Sequence, residues 1–355
     1  MAAITYKQIL RQLKADLIGK DSYRGVTLTY SWLANQFGHF SLGYIPVLMI
    51  NALMTRFAPH WSCPERKAAL IVSGIWLLFE LYNFLGPLLF NKVSDSDRLY
   101  LPSGKKYVFP PQWSNIAFDT FTDLLFFWIG AFSASLFLHY SGPVLLLVLV
   151  LVLLTIYPAY RWYLTKMFLQ YARLPVQFRL SQWYGDLDKG GIKRVSDYIN
   201  QSRKSAGNHL LILGGRRTGK TLLAMGIATE MAIRHASCSN YTAIKLFDLL
   251  DLDEDAIRKT EGNEVWTWRS ASLLFIDDIN SGEPLSTEAY LSPENILLLL
   301  ESQVNGIPNT ETLRNKNVIW VVSINSADSG MKWTDMLRKA GVDPKKISPV
   351  TLGFS

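Results

Sequence analysis

The sequence predicts two structural halves: an N-terminal α-helical transmembrane bundle and a C-terminal α/β domain built on a parallel five-stranded sheet. Three observations support this division. Long apolar segments occur before Leu164 and not after it. After residue 205, short apolar runs alternate with helix-forming segments, as in a buried parallel sheet covered by helices. The net charge is +10 over residues 1–204 and −3 over residues 205–355, which together give the +7 of the whole chain.

Four apolar segments are long enough, or nearly long enough, to cross a bilayer core of roughly 30 Å. In decreasing order of strength they are residues 142–160, 68–90, 116–139 and 40–57. The last segment is the weakest because it is short and contains Pro46, so a re-entrant or interfacial segment is the alternative there. We therefore assign residues 26–164 to a transmembrane domain with about four spans.

Basic residues predict the orientation of these spans. Five Lys and Arg residues precede the first span, and four follow the last span between Arg161 and Arg179. Because cytoplasmic flanks are enriched in Lys and Arg, both termini and the C-terminal domain are predicted to be cytoplasmic, with the bacterial inner membrane as the location. We expect the basic residues to contact anionic membrane lipid. The negative C-terminal domain makes nucleic acid an unlikely partner.

Two features of the N-terminal half have alternative interpretations. Residues 1–25 predict an amphipathic helix that lies either on the membrane surface or against the protein. Its aliphatic residues at helical spacing are Ile4, Ile9, Leu13 and Leu17. Glu80 and Asn83 fall inside the second span, where a polar group either lines an ion pathway or forms a hydrogen bond between helices. We favour the hydrogen bond, and we expect Asp119 and Asp123 at the membrane interface.

Residues 165–204 are predicted to be a juxtamembrane linker, with a short helix over residues 192–203. The segment is mixed basic and aromatic, and glycines interrupt it. The α/β domain is expected to occupy residues 205–355. The two cysteines, Cys63 and Cys238, predict neither a disulfide framework nor a metal cluster.

The strongest motif lies at the start of the α/β domain and matches G-x-x-x-x-G-K-[ST] in full. Its residues are Gly214, Gly215, Arg216, Arg217, Thr218, Gly219, Lys220 and Thr221. An apolar strand, residues 209–213, precedes the motif, and a helix, residues 222–233, follows it. In this context backbone amides bind phosphates, Lys220 contacts the outer phosphates and the Thr221 hydroxyl ligates magnesium. The sequence thus predicts a P-loop NTPase with ATP and Mg²⁺ as ligands.

A second motif, Leu273 to Asp278, consists of four apolar residues followed by two aspartates. It resembles the Walker B motif of P-loop NTPases. The resemblance implies that Asp277 holds magnesium and that Asp278 orients or deprotonates the attacking water. A strand that ends in two aspartates is common by itself. At this distance after a P-loop, it is a more specific indication of a Walker B motif.

The remaining elements resemble the core of AAA+ proteins, within the ASCE class of ATPases. The expected elements are a strand at 243–247, a helix at 293–304, a strand at 318–324, a helix at 333–339 and a strand at 349–354. Asn325 resembles the sensor 1 residue, which implies a role in catalysis. Arg338 resembles an arginine finger that reaches the nucleotide of a neighbouring subunit, although a solvated arginine at a helix end is the alternative.

The AAA+ resemblance has three departures. The Asp277–Asp278 pair replaces the usual Asp-Glu and is more similar to the STAND and KAP classes. Arg217 replaces a usual glycine, and it resembles the arginine of guanylate-binding proteins that acts in cis. A dynamin-like GTPase is therefore a rival, but residues 205–355 contain neither an N-K-x-D nor a T-x-x-D guanine-reading motif. No α-helical lid domain is expected after the last strand.

These features predict an integral-membrane ATPase whose ATP binding and hydrolysis drive assembly or a conformational switch of the membrane helices. The expected partners are further copies of the chain, with nucleotide at the subunit interfaces, and an unidentified protein. The alternatives are a non-hydrolysing ATP-bound membrane scaffold and an energiser of a transport or secretion complex.

Overall fold

The computed structural model describes residues 4–18, 28–90, 108–110, 112–262, 265–279, 291–324 and 327–353. The described residues form two compact units. We name them after the sequence predictions: the membrane unit comprises those within 10–103 and 111–163, and the nucleotide unit those within 1–9, 104–110 and 164–355.

Five α-helices lie in the first half of the described chain. They are α1 (Tyr6–Ile18), α2 (Leu28–Phe57), α3 (Pro64–Phe90), α4 (Trp113–Leu138) and α5 (Gly142–Ala172). Within the described residues, four helices are long and apolar enough to cross a membrane, in agreement with the four predicted segments. The weakest predicted segment, 40–57, belongs to the 30-residue helix α2, which continues through Pro46. At the start of α1, Ile4 packs against the core of the nucleotide unit and Ile9 is buried.

Helices α2 and α4 pack closely because each has a glycine at the contact. A Cβ atom on Gly43 would lie 2.1 Å from the carbonyl oxygen of Phe127, and one on Gly130 would lie 2.0 Å from that of Phe40. Small residues of this kind let membrane helices approach to backbone contact, which is a main source of their association.

We expect Gly43→Leu to disrupt the α2–α4 contact, because the new side chain has no space next to Phe127. The cost should be at least about 2 kcal/mol, the upper part of the range for overpacking a core. Thermal unfolding of the full chain in detergent measures this effect. Gly38→Leu is the matched control on the same helix, since a Cβ at Gly38 meets no atom within 4 Å. Equal unfolding midpoints for the two variants would contradict the packing argument.

A polar cluster lies in the same membrane unit. His39 Nδ1 is 2.9 Å from Asp123 Oδ1, and Gln36 donates a hydrogen bond of 3.4 Å to the same carboxylate. Glu80 is buried. Asp123 of α4 contacts two side chains of α2. The cause is that residues 36, 39 and 43 share one helix face, so the partner of Asp123 is on the face that packs against α4.

The nucleotide unit is a three-layer α/β fold. Its strands are β1 (His209–Gly214), β2 (Cys238–Thr242), β3 (Leu273–Asp277), β4 (Gln303–Val304), β5 (Ile307–Pro308), β6 (Asn317–Ser323) and β7 (Ile347–Leu352). Five of them form a parallel sheet in the order β2-β3-β6-β1-β7, and β4 and β5 form a small antiparallel hairpin. The parallel five-stranded sheet that the sequence predicted is therefore present.

The described helices of this unit cover both faces of the sheet. They are α6 (Lys189–Lys204), α7 (Lys220–Ile233), α8 (Ala243–Phe247), α9 (Glu254–Glu261), α10 (Pro293–Leu300), α11 (Asn309–Arg314) and α12 (Ala327–Lys339). Alternate residues of β1 point to opposite faces, as the strand geometry requires. Leu210 and Ile212 pack in the core with α6 and α7, whereas Leu211 and Leu213 pack in the core with α8 to α12.

Two element predictions for this unit were wrong. The run Ala243–Phe247 is helix α8, and the strand between the two motifs is β2, which ends at Thr242. The Thr242 hydroxyl accepts a hydrogen bond from the Lys245 amide and so caps a helix at the point where a strand was expected. The helix expected over 293–304 ends at Leu300, because Asn305 and Gly306 adopt positive φ and turn the chain into the β4–β5 hairpin.

Residues 165–204, expected to be a linker, lie within the nucleotide unit. Helix α5 continues to Ala172, and α6 begins at Lys189 after an N-cap in which the Asp188 carboxylate accepts from the Gly191 amide at 2.7 Å. One face of α6 is buried in the core next to β1, through Val195, Tyr198 and Ile199. The charged residues on its other face explain why the composition suggested a linker.

Candidate nucleotide-binding site

The sheet topology brings the two predicted motifs to one edge of the sheet. Strand β6 lies between β1 and β3, and all three strands are parallel. The carboxyl ends of β1, at Gly214, and of β3, at Asp277, therefore lie on the same edge, where α/β folds bind ligands. The Thr221 hydroxyl donates a hydrogen bond of 3.1 Å to Asp277 Oδ1. The fold thus joins two side chains that lie 56 positions apart in sequence.

The P-loop has the backbone conformation of a phosphate-binding turn. Arg217 and Gly219 both adopt positive φ, 61° and 86°, with α7 beginning immediately afterwards at Lys220. Such alternation of conformations turns successive amides toward one side and forms an anion-binding concavity. The Thr218 hydroxyl stabilises the turn through a hydrogen bond of 3.0 Å to the Gly215 carbonyl.

The electrostatics of the site come from one buried cation and two carboxylates. Lys220 is 7% exposed, and its ammonium donates to the Gly215 carbonyl at 2.5 Å. Burial lowers the pKa of Lys220, and the charges of Asp277 and Asp278 oppose this effect. Burial also raises the pKa of Asp277, partly offset by a hydrogen bond from the Asp278 amide. An additional positive charge near Asp277 would therefore be stabilised.

The residues present fit a magnesium ion. A hydroxyl and a carboxylate in hydrogen-bond contact, those of Thr221 and Asp277, are the hard oxygen ligands that Mg²⁺ prefers. The pKa of Asp277 is raised mainly because burial disfavours the charged carboxylate, and a bound cation would stabilise that charge. Among the described residues, no three His, Cys, Asp or Glu side chains are grouped so that they could hold a metal by themselves, so the phosphates would have to complete the coordination.

The other predicted site residues that the structure describes are exposed, unlike Lys220 and Asp277. Asp278 follows β3, is exposed and adopts positive φ, 53°, which turns it away from the direction of the strand. The side chains of Arg216 and Arg217 are exposed at the tip of the P-loop. Arg338 lies in the last turn of α12, is more than half exposed and pairs with Asp335 at 3.1 Å, as a solvated arginine does.

Asn325, the expected sensor 1 residue, lies outside the described residues. Its neighbour Ile324 is described, and the Ile324 amide donates to the Gly214 carbonyl at 3.1 Å. The end of β6 is therefore held against the start of the P-loop.

Trp183 lies next to the P-loop, a contact that the sequence did not predict. The Trp183 indole donates a hydrogen bond of 3.1 Å to the Gly219 carbonyl. Trp183 lies in the segment that was assigned to a linker, 36 positions before its partner, and no local pattern indicates the contact.

No protein-family profile matches the chain, and no characterised protein matches it in sequence. Solved structures resemble part of it, among them the following two. The crystal structure of the DnaC helicase loader is 15% identical, with a TM-score of 0.32 over 49% of this chain and 96% of that chain. The crystal structure of DnaI is 16% identical, with a TM-score of 0.29 over 48% of this chain and 86% of that chain. Both similarities concern the fold alone.

Proposed function

We propose that the chain is an integral-membrane ATPase in which ATP binding and hydrolysis drive assembly or a conformational change of the membrane helices. The observation that carries the proposal is the contact between Thr221 and Asp277, which joins a complete P-loop to an acidic strand end. In this proposal, the P-loop amides and Lys220 bind the phosphates, and Thr221 and Asp277 hold Mg²⁺, which neutralises phosphate charge. The four apolar helices anchor the chain in the bacterial inner membrane.

Turnover by the purified full chain tests this function. In lipid or detergent, we expect ATP hydrolysis that stops when EDTA removes divalent cations, and little hydrolysis of GTP. ATP binding without turnover would instead indicate the non-hydrolysing scaffold. Preference for GTP would favour the dynamin-like alternative. Absence of nucleotide binding by folded protein would exclude the proposal.

Asp278 is our candidate for the hydrolytic carboxylate. A carboxylate accepts a hydrogen bond or proton from the attacking water, whereas an amide cannot act as its base. Asp278→Asn should lower the ATP turnover rate about 100-fold, the lower end of the usual range for a general base, and leave ATP affinity unchanged. Asparagine also tolerates positive φ, so the backbone should be retained.

Measured turnover and nucleotide affinity separate the alternatives for Asp278. Asp255→Asn is the control, because Asp255 is an exposed aspartate in the first turn of α9 and belongs to neither motif. If Asp278→Asn hydrolyses ATP at the normal rate, the assignment is wrong. Glu283, which lies outside the described residues, then becomes the next candidate.

The membrane topology can be tested with the natural cysteines. With four spans and cytoplasmic termini, the turn between α2 and α3 lies outside the cytoplasm, and it contains the exposed Cys63. Cys238 is buried, and burial raises the pKa of its thiol, so it should not react. We expect a membrane-impermeant maleimide, added to intact cells, to label this chain at Cys63. The Cys63→Ser variant should not be labelled. A reporter fused after Ser355 that is found outside the cytoplasm would contradict the orientation.

A further inference from the structure

A short segment between α5 and α6 lies along the P-loop helix α7. We call residues Arg179–Trp183 the strap. At the C-terminal end of α7, Arg179 Nε donates to Glu230 at 2.9 Å. At the N-terminal end, Trp183 donates to Gly219. The two contacts lie 11 residues apart on α7, or about 16 Å along the helix axis.

The middle of the strap explains the glycine inside α7. A Cβ atom on Gly226 would lie 3.1 Å from the Leu180 Cα and 3.3 Å from the Leu180 nitrogen. Glycine is unfavourable in a helix interior, so its presence there indicates a close backbone approach. Leu180 is itself buried, in the core that also contains Leu223 and Ile227 of α7. The strap is thus packed against α7 over its whole length.

The Trp183 indole is fixed from several sides. Its side chain is 2% exposed, and the Phe109 ring lies 6.0 Å from it between centroids. A Cβ on Gly185 would lie 2.2 Å from the indole, so the Gly185 backbone lies directly against the ring. With the ring held in this way, the direction of its N–H is fixed as well.

The hydrogen bond from Trp183 acts on a peptide unit that would contact phosphate. The Gly219 carbonyl accepts from the indole at 3.1 Å and from the Leu223 amide at 3.0 Å. The carbonyl of Gly219 and the amide of Lys220 belong to one planar trans peptide, so they point in opposite directions. Anchoring the carbonyl on the strap side therefore directs the Lys220 amide toward the phosphate-binding concavity. Gly219 is the N-cap residue of α7 and, as a glycine, has no side chain that could cap the helix.

The residues before the strap are also packed in the nucleotide unit. Phe168, in the last turns of α5, stacks on Trp266 at 5.4 Å and on His235 at 5.2 Å, and Thr165 lies 3.0 Å from His235 Nε2. The strap thus follows directly on the end of α5, the helix whose earlier part is an apolar span. Only residues 173–178 separate the end of α5 from the strap.

We infer that Trp183 is a positioning residue for the phosphate-binding loop, and that the seating of the strap on α7 sets the affinity for ATP. The strap then connects the end of α5 to the nucleotide site. This inference rests on the proposed nucleotide binding, and it assigns no direct contact between Trp183 and the substrate.

Two tryptophan variants test the role of Trp183. Trp183→Phe removes the hydrogen bond to Gly219 and keeps an aromatic ring. Trp266→Phe is the matched control, because Trp266 is fully buried in the same core and its indole also donates to a backbone carbonyl, that of Cys238, at 2.8 Å. Both variants should lower the thermal unfolding midpoint of the full chain. Only Trp183→Phe should weaken ATP binding, by about tenfold for the loss of one oriented hydrogen bond.

A third variant separates stability from affinity. Gly226→Ala improves the helix propensity of α7, but its methyl group forces Leu180 and the strap to move by a few tenths of an ångström. We expect an unfolding midpoint that is unchanged or higher, together with ATP affinity at least about threefold weaker. A purely structural role of the strap would not weaken ATP binding while the unfolding midpoint stays unchanged or rises.

Binding of a fluorescent ATP analogue to the full chain in detergent gives the affinities. If the wild-type chain binds no ATP, the proposed function fails. If the wild-type chain binds ATP and both Trp183→Phe and Gly226→Ala bind it equally well, the function stands and the inference about the strap is overturned. An equal loss of affinity in Trp266→Phe would also overturn it, because the effect would then reflect general destabilisation.

Discussion

Replacing Lys220 with alanine is expected to abolish ATP binding while the chain remains folded. The ammonium group would make charge-assisted hydrogen bonds to the outer phosphates, each worth about 1.5–3 kcal/mol, so the affinity should fall at least about 100-fold. Stability should change little in comparison. Lys220 is buried with a lowered pKa, which means that its charge is already disfavoured by the fold.

A second buried lysine provides the matched control for Lys220→Ala. Lys316 is also 7% exposed, burial lowers its pKa to about 8, and its ammonium donates to the carbonyls of Arg269 and Ala271. Lys316→Ala leaves these carbonyls unpaired and should cost about 1–3 kcal/mol of stability. Its ATP affinity should be normal, because Lys316 precedes β6 at the opposite end of the sheet from the P-loop.

Binding of labelled ATP and thermal unfolding, measured on both variants, distinguish the two effects. Loss of stability without loss of binding is expected for Lys316→Ala, and the reverse for Lys220→Ala. Wild-type ATP affinity in Lys220→Ala would show that the P-loop does not bind phosphate in the proposed manner.

The parts of the structure that the sequence predicted are those with long or context-rich patterns. The four apolar helices are visible because a span needs about 20 consecutive apolar residues, a pattern that chance rarely produces. The P-loop was assigned on a complete motif between a strand and a helix, and the contact of Thr221 with Asp277 agrees with that assignment. Each prediction used a signal that extends over many residues.

The parts that could not be predicted depend on short patterns or on distant contacts. A five-residue, mainly apolar run such as Ala243–Phe247 fits a strand and a helix equally well. The capping hydrogen bond that the Thr242 hydroxyl accepts from the Lys245 amide decides between them. Helix α6 was assigned to a linker because its exposed face is strongly charged. The pairing of His39 with Asp123 and of Trp183 with Gly219 connects residues far apart in sequence, and no local spacing encodes such contacts.

Two arginines are candidates for a catalytic role at the nucleotide site, Arg217 in cis and Arg338 from a neighbouring subunit. The backbone conformation of the P-loop allows a substitution that tests Arg217. Arg217 occupies a position with φ of 61°, where glycine is favoured and any other residue costs about 1–2 kcal/mol. Arg217→Gly therefore removes the side chain and should stabilise the loop. A loss of turnover in this variant cannot be attributed to unfolding, so the variant tests the cis role of Arg217 directly.

We propose that Arg338 of a neighbouring subunit, and not Arg217, acts on the nucleotide in a homo-oligomer. Arg338 is exposed and its partner Asp335 is equally exposed, so the ion pair is weak and the guanidinium can be released to a stronger anion. An arginine finger contributes a factor of about 1,000 or more to turnover. Arg338→Ala should therefore reduce turnover by about that factor with ATP affinity retained, whereas Arg217→Gly should reduce it much less.

Mixing two inactive variants tests whether the site is shared. Lys220→Ala protein keeps Arg338, and Arg338→Ala protein keeps an intact P-loop, so neighbouring subunits in a mixed oligomer would complete one another. We expect part of the wild-type turnover to return after co-assembly, and none when the double variant Lys220→Ala/Arg338→Ala replaces the Lys220→Ala protein. If co-assembled oligomers remain inactive and Arg217→Gly alone eliminates turnover, the arginine acts in cis. The membrane helices would favour the shared arrangement, because confinement to a bilayer keeps subunits at high effective concentration.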